Sequence, residues 1–337
     1  MNLIESYKGY LMSWLRMNKD YDDALGLSRK TVLVEGFTDE KFYKRVLRED
    51  TRCVNAKNIV ERDQKGFRTG SGSGKVSINC KDLIVRLMEA LALYSENLGF
   101  PKNAKVWPLF GIVDRDDEED AEYAMINKLF ITDTRDLETL ILSTDMKVLT
   151  RLEKCHLSEE EIREALYVAE QLGAYKKAIK QEGSLSSWKI NAENGTVDYS
   201  KFTKDKTVDL QMLLDFINRN NEQGEKPKKA AKLKDIKAAI VKGMKKQLDK
   251  DGNWKKTLQE FSPEESKTIW LIVNGHDVLS AVCYIKPEVD TAFSSEQKHK
   301  LNREFELAII GEYDYECLKT TELYRSLSDA DLVREAM

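Results

Sequence analysis

The sequence predicts an α/β protein: a parallel sheet with helices on both faces, followed by a mostly helical C-terminal region. Three observations carry this. Short apolar, β-branched runs alternate with amphipathic stretches from about residue 29 to 145. The two strongest runs end abruptly on acids, at Glu35-Gly36 and at Asp114-Arg115-Asp116. Beyond 146 the alternation fades and helical patterns take over. The expected divisions are a helical segment at 1–28, a sheet domain at 29–145, and a mostly helical domain at 146–337.

Each element has its own warrant. Ile4, Tyr7, Leu11, Trp14 and Leu15 lie at helical spacing in the first segment. Arg29 to Val34 reads as a strand, and Asp39 to Arg48 sets Phe42, Tyr43, Val46 and Leu47 on one helical stripe. A tight turn at Glu35-Gly36 joins them into the first unit of a βαβ sheet. A second strand is expected within 51–60, and the polar, Gly-rich stretch 61–75 predicts a mobile loop. Residues 81–94 predict a helix, with Leu83, Ile84, Leu87, Met88 and Leu91 in register. A buried strand follows from Val106 to Val113, then a short acidic helix, a strand from Lys128 to Thr132, and a helix from Asp136 to Leu142.

In the second half, Ser158-Glu159-Glu160-Glu161 is a capping-box start, and Gly173 is a plausible end for the same helix. Ser262-Pro263-Glu264-Glu265 predicts a second helix start with Pro at its first position. The polar stretch 183–207 carries Asn194-Gly195, a hairpin turn or loop. No internal repeat is present.

Composition excludes several classes. A chain of 337 residues with 41% hydrophobic and 33% charged residues can bury a substantial core, which rules out disorder, collagen and coiled-coil arrays. Five scattered Cys without a CxxC pair, and three His, fit neither a disulfide framework nor a zinc finger. The opening residues lack a basic stretch followed by an unbroken apolar run, so no signal peptide is expected. No stretch approaches the roughly 20 apolar residues that span a bilayer. The expected location is the cytoplasm, with no membrane partner.

The net charge of −4 hides two opposite regions. From Lys226 to Lys256 twelve Lys oppose three Asp, a local balance of +9 that leaves −13 on the remainder. From Asp114 to Glu122 seven of nine residues are acidic. A Lys block is ordinarily a solvated helix face, but Lys228, Lys229 and Lys232 are also candidates for phosphate contact. Lys65, Arg68 and Lys75 in the Gly-rich loop are further candidates. That loop is no P-loop: Gly70 and Gly74 enclose three residues rather than four, and Val76 replaces the hydroxyl that would hold Mg²⁺.

Acids at strand ends are the candidate site. In a parallel sheet the carboxyl edge is open while the faces are covered. Glu35 falls at such an end, Asp39 in the first turn of the next helix, and Asp114 and Asp116 at the end of the other strong strand. Carboxylates converging there need a cation, and hard oxygen ligands suit one or two Mg²⁺ or Mn²⁺ ions. Each also has a plainer role: Asp39 suits a helix N-terminus, Asp133 and Asp136 can cap the helix that starts beside them, and the 117–120 run can be a solvated helix start. His276-Asp277 after Asn274-Gly275 reads first as a turn with helix capping, and Trp188 and Trp254 as packing anchors.

The conjunction resembles a known family. VLVEGFTDEKFY together with LFGIVDRDDEE is similar to the Toprim domain, a Rossmann-like fold of topoisomerases, DnaG-type primases and OLD-family nucleases. LFITDTRDLETLIL and NGHDVL resemble a narrower group, the Toprim effectors of PARIS-type anti-phage systems that pair with an ABC-type ATPase. The Toprim resemblance covers about 29–145, and the rest is matched more weakly. It implies Glu35, Asp114 and Asp116 as metal ligands, Asp39 as the additional OLD-type acid, one of Glu118, Glu119 or Asp120 as a later ligand, and Glu138 as a recurrent acid of the narrower group. The distant Lys of OLD-type nucleases has no clear counterpart. The resemblance implies a metal-dependent nuclease that acts as a toxic abortive-infection effector. Released from its ATPase sensor, it would dimerise and cleave tRNA. An OLD-type DNA endonuclease and a non-catalytic nucleic-acid-binding subunit remain open, whereas a topoisomerase and a primase are disfavoured by length and by the lack of a zinc module.

Overall fold

Continuous apolar runs buried at every position form the two central strands, as strands covered on both faces must be. These are β1 (Thr31–Val34) and β3 (Leu109–Val113). The computed structural model describes residues 29–56, 80–93, 108–115, 123, 125–181, 197–222, 230–265, 269–293 and 301–334. In chain order the described elements begin β1, α1 (Phe37–Val46), β2 (Arg52–Asn55), α2 (Cys80–Leu93), β3, β4 (Leu129–Ile131) and α3 (Leu137–Thr144). There follow α4 (Val148–Arg151), α5 (Glu159–Gln181), β5 (Thr203–Lys204), β6 (Thr207–Val208), α6 (Leu210–Glu222) and α7 (Ala230–Gly243). The last are α8 (Ile269–Ile272), α9 (Gly275–Ile285), α10 (Pro287–Phe293), α11 (Leu301–Glu312) and α12 (Glu322–Asp329).

The chain divides into two compact units, Met1–Leu137 with Asp314–Met337, and Glu138–Tyr313. The first is the sheet unit. Its strands run in the order β2-β1-β3-β4, all parallel, with Thr31 opposite Arg52 on one side and Leu109 on the other. From β1 the chain moves outward to β2, then returns past β1 to β3. Parallel crossovers are right-handed, so this reversal sends α1 and α2 to opposite faces. The expected α/β class with an all-parallel sheet is what the structure has.

The end of the chain completes this unit. Val333 bridges Leu47, and the Arg334 Nε donates to the Leu47 carbonyl at 2.8 Å. Lys30 Nζ reaches the Asp331 carbonyl and carboxylate, both at 2.7 Å, and Arg48 reaches the other carboxylate oxygen at 2.7 Å. The sequence boundary at 145/146 thus has counterparts at 137/138 and 313/314.

The helical unit is organised on α5. Its start is the reciprocal box expected: Ser158 N–H donates to Glu161 Oε2 at 2.8 Å, and Glu161 N–H to Ser158 Oγ at 3.2 Å. Helix α5 buries Ile162, Ala165, Leu166, Val168, Ala169, Leu172, Tyr175 and Ile179. Gly173 does not end it. It lies inside α5 because the Ile272 carbonyl passes so close that a Cβ would sit 2.6 Å from its oxygen.

Two further segments are described in part. At Ser262 the expected capping contact is present, the Glu265 N–H donating to Ser262 Oγ at 3.4 Å; 263–265 form a turn, and 266–268 lie outside the described residues. The described hairpin is β5–β6, where Asp205 and Lys206 both take positive φ, as a two-residue turn of the primed type demands. Buried Gln171 locks that hairpin to α5 by accepting the Val208 N–H at 2.9 Å. The segment 1–28, the loop 61–75 and Asn194-Gly195 lie outside the described residues.

Candidate active site at the sheet edge

Strand β1 ends at Val34 and β3 at Val113, so Glu35 and Asp114 are the first residues past two adjacent strand ends. The strand order reverses between these two strands. At such a reversal the flanking crossovers diverge and leave a crevice, which is where open parallel sheets bind ligands. The Asp114 N–H donates to Glu35 Oε1 at 2.9 Å, tying the two acids together. Next to them, the Arg115 N–H donates to Thr132 Oγ1 at 3.0 Å, anchoring the end of β3 to the residue after β4.

Asp39, the third residue of α1, reaches back to the cap at Gly36. Its Oδ2 accepts the Gly36 N–H at 2.8 Å at the start of α1. Gly36 itself is extended at φ −130, so left-handed backbone is not what it supplies. It supplies room, since a Cβ there would lie 2.9 Å from that same Asp39 oxygen.

Two neighbours escaped sequence reasoning. Lys81 is buried, and its Nζ donates to the Asp114 carbonyl at 2.6 Å. The signal was present: Lys81 shares the helical register of buried Ile84 and Met88, where a lysine is out of place unless it has a polar task. Tyr43 is the other. Its hydroxyl is buried without a hydrogen-bond partner. Burial, and after it the charges of Asp39 and Asp114, push the Tyr43 pKa well up, so the phenol stays protonated and able to donate. Oxygen donors such as the Glu35 and Asp114 carboxylates suit Mg²⁺ or Mn²⁺ better than a softer ion.

Asp133 belongs elsewhere. Its two oxygens accept the Glu322 and Leu323 N–H groups at 2.8 and 2.9 Å. It therefore caps α12, nearly two hundred positions away (|i−j| = 189 and 190), rather than the helix beside it. Asp116, Glu118, Glu119 and Asp120 lie outside the described residues, as do Lys65, Arg68, Lys75, Lys228, Lys229 and Trp188. Lys232 lies on α7. Along the same segment Leu233, Ile236, Ile240, Met244 and Leu248 are buried, while Lys234, Lys242, Lys245, Lys246 and Lys250 are exposed, which is the solvated lysine face. Trp254 packs edge-on to Tyr175 at 5.8 Å, an anchor.

Glu138 falls in the helical unit. There Glu138, His276 and Glu306 each offer a ligand atom, all within 4.8 Å of one another, and can hold a metal ion. The Asn274-Gly275-His276-Asp277 motif caps α9, with Asn274 Oδ1 accepting the His276 N–H at 3.0 Å. Buried Asp277 pairs with Lys176 of α5 through both oxygens, at 2.7 and 2.6 Å. Burial pushes the thiols of Cys53 and Cys283 up to about 12, so neither is a nucleophile near neutral pH. Among the described residues no helix is long and apolar enough to cross a membrane. No family model, no curated protein and no solved structure matches the chain.

Proposed function

We propose that the chain is a Toprim endoribonuclease dependent on Mg²⁺ or Mn²⁺, the toxic effector of a bacterial anti-phage system, which cleaves tRNA once an ABC-type ATPase sensor releases it. In this reading it works in the cytoplasm as a homodimer. The observation that supports it is the pairing of Glu35 and Asp114 at adjacent strand ends where the strand order reverses.

Glu35 and Asp114 would hold the ion, joined by Asp116 from the same strand end and by Asp39 if its cap oxygen is shared. A bound ion supplies Lewis-acid stabilisation of phosphate and a more acidic water. The chain's own groups divide the remaining work. Lys81, fixed on the Asp114 carbonyl, offsets the negative charge of the acids and keeps the edge hospitable to phosphate. The exposed lysines of 234–250 supply non-specific affinity for a polyanion.

The test compares the full chain with Glu35→Gln on total tRNA and on supercoiled plasmid, in Mg²⁺, Mn²⁺ and EDTA. Expression in bacteria without the ATPase runs in parallel. The reading expects tRNA cut by the wild type alone, only with metal, and growth arrest that Glu35→Gln abolishes. Plasmid cleavage with intact tRNA would move the assignment to a DNA endonuclease. No cleavage and no toxicity would leave a binding subunit.

A further inference from the structure

We propose that Glu138, His276 and Glu306 form a second divalent-cation site, built wholly within the helical unit and taking a borderline transition ion, Zn²⁺ or Mn²⁺. It does not rest on the nuclease reading.

The three residues come from three helices. Glu138 is in the first turn of α3, His276 in the first turn of α9, and Glu306 in the middle of α11. The two glutamates are buried, at 8% and 6% exposure, while the His276 side chain is half-exposed at 48%. His276 Nδ1 lies 3.2 Å from Glu306 Oε1. A histidine–glutamate contact alone would account for those two residues. Glu138 brings a third potential ligand to the same place from a third helix, which is more than that contact uses. A divalent cation would draw on all three.

The geometry is near what an ion needs. Ligands about 2.1 Å from a shared tetrahedral ion lie about 3.4 Å apart. His276 Nδ1 and Glu306 Oε1 already meet that spacing, and a pair at the 4.8 Å limit would close by about 1.4 Å through side-chain rotation. One imidazole with two carboxylates favours Zn²⁺ or Mn²⁺ over Mg²⁺, which prefers oxygen alone. Three protein ligands, with the exposed side of His276 beyond them, leave a coordination position for water.

The backbones carrying these ligands are held in place by other contacts. The Asn274 cap fixes the start of α9, and the Lys176–Asp277 pair fixes its rotation against α5 while neutralising the next acid in the chain. Helices α3 and α11 are clamped at their C-terminal ends. Thr144 and Tyr313 share a hydrogen bond of 2.8 Å, and Arg151 pairs with Asp145 and donates to the Glu312 carbonyl at 2.8 and 3.1 Å. Preset ligand backbones are what a tight metal site requires.

The experiment uses the full chain carrying Glu35→Gln and Asp114→Asn, so that the sheet-edge acids are disabled. Zn²⁺ and Mn²⁺ are titrated calorimetrically, and retained metal is counted after dialysis. One equivalent should remain bound. Adding His276→Asn or Glu306→Gln should weaken binding by more than the about 10- to 100-fold typical of outer-shell partners. Co²⁺ should give a visible d–d spectrum that His276→Asn abolishes. His276 is half-exposed, so His276→Asn reads the site even if Glu306→Gln fails to fold. Absence of the retained equivalent, or affinity untouched by His276→Asn, would overturn the proposal. Neither result bears on cleavage at the sheet edge.

Discussion

The sheet edge and the helical cluster gather acids by opposite routes. At the edge, Glu35, Gly36 and Asp39 follow one another on a single strand–turn–helix, and β3 runs one residue past the end of β1, so Glu35 falls opposite Val113 and Asp114 is the next residue. In the helical unit, Glu138, His276 and Glu306 meet only because three separate helices pack. The first arrangement is fixed by hydrogen-bonded register and by the rule that parallel strands point their carboxyl ends the same way. The second depends on side-chain packing over long sequence separations. Local order therefore makes the first site robust to changes elsewhere, whereas the second should respond to anything that moves α9.

The sharpest break in this comparison is chemical loss without structural loss. Glu35→Gln keeps an oxygen to accept the Asp114 N–H, so the fold should hold while the proposed nuclease activity falls by at least about 100-fold, the scale of losing one preorganised electrostatic group. Thermal melts alongside rate measurements check it; a parallel drop in melting temperature would show that Glu35 is structural.

Next in size is Lys176→Met. It leaves the Asp277 carboxylate buried at 3% exposure without its ammonium. The expected cost is about 2–3 kcal/mol, below the full penalty of breaking a buried pair because Lys176 keeps a quarter of its side chain in solvent. Denaturant melts measure the cost, and Asp277→Asn in the same background should recover part of it. Cation binding by Glu138, His276 and Glu306 should weaken with it, while the sheet edge should not notice.

Gly111→Ala tests the other unit. A Cβ there would lie 2.5 Å from Ile84 Cγ2 and 3.0 Å from Leu129 Cδ1, so α2 and β4 must give way. Overpacking of this kind costs about 1–3 kcal/mol. Because α2 carries Lys81, the proposed nuclease activity should decline with stability. An unchanged melting point would mean that α2 shifts more easily than its packing implies.

What the sequence disclosed follows the same division. The strand runs, their acidic ends, the α5 capping box and the Asn274 cap were legible because each is a pattern within a few residues. Asp133 was legible only as a capping acid; that it caps α12 depends on where the chain's last segment returns. The same holds for Asp277 and Lys176, and for Glu306, which nothing in its own helix marks as special. Gly173 misled because a glycine near the end of an amphipathic run resembles a C-cap, whereas its cause is the Ile272 backbone pressed against it.

The smallest effect probes that returning segment. Asp331 sits at φ 54, a conformation Asn also tolerates, so Asp331→Asn removes charge without straining the backbone. The hydrogen bond from Lys30, and then the charges of Lys30 and Arg48, hold the Asp331 carboxyl below its ordinary 3.8. A depressed carboxylate stabilises the fold fully above its unfolded pKa and loses that contribution as pH falls through the folded value. The variant should thus melt below the wild type at neutral pH. The gap should begin to narrow below about pH 3.8 and close at more acidic pH. Asp331 keeps 67% of its side chain exposed, so salt should shrink the gap as well. A gap that held constant through the acid range would mean that Asp331 acts through its backbone carbonyl, which also accepts from Lys30, and that register rather than charge fastens the last segment to β1.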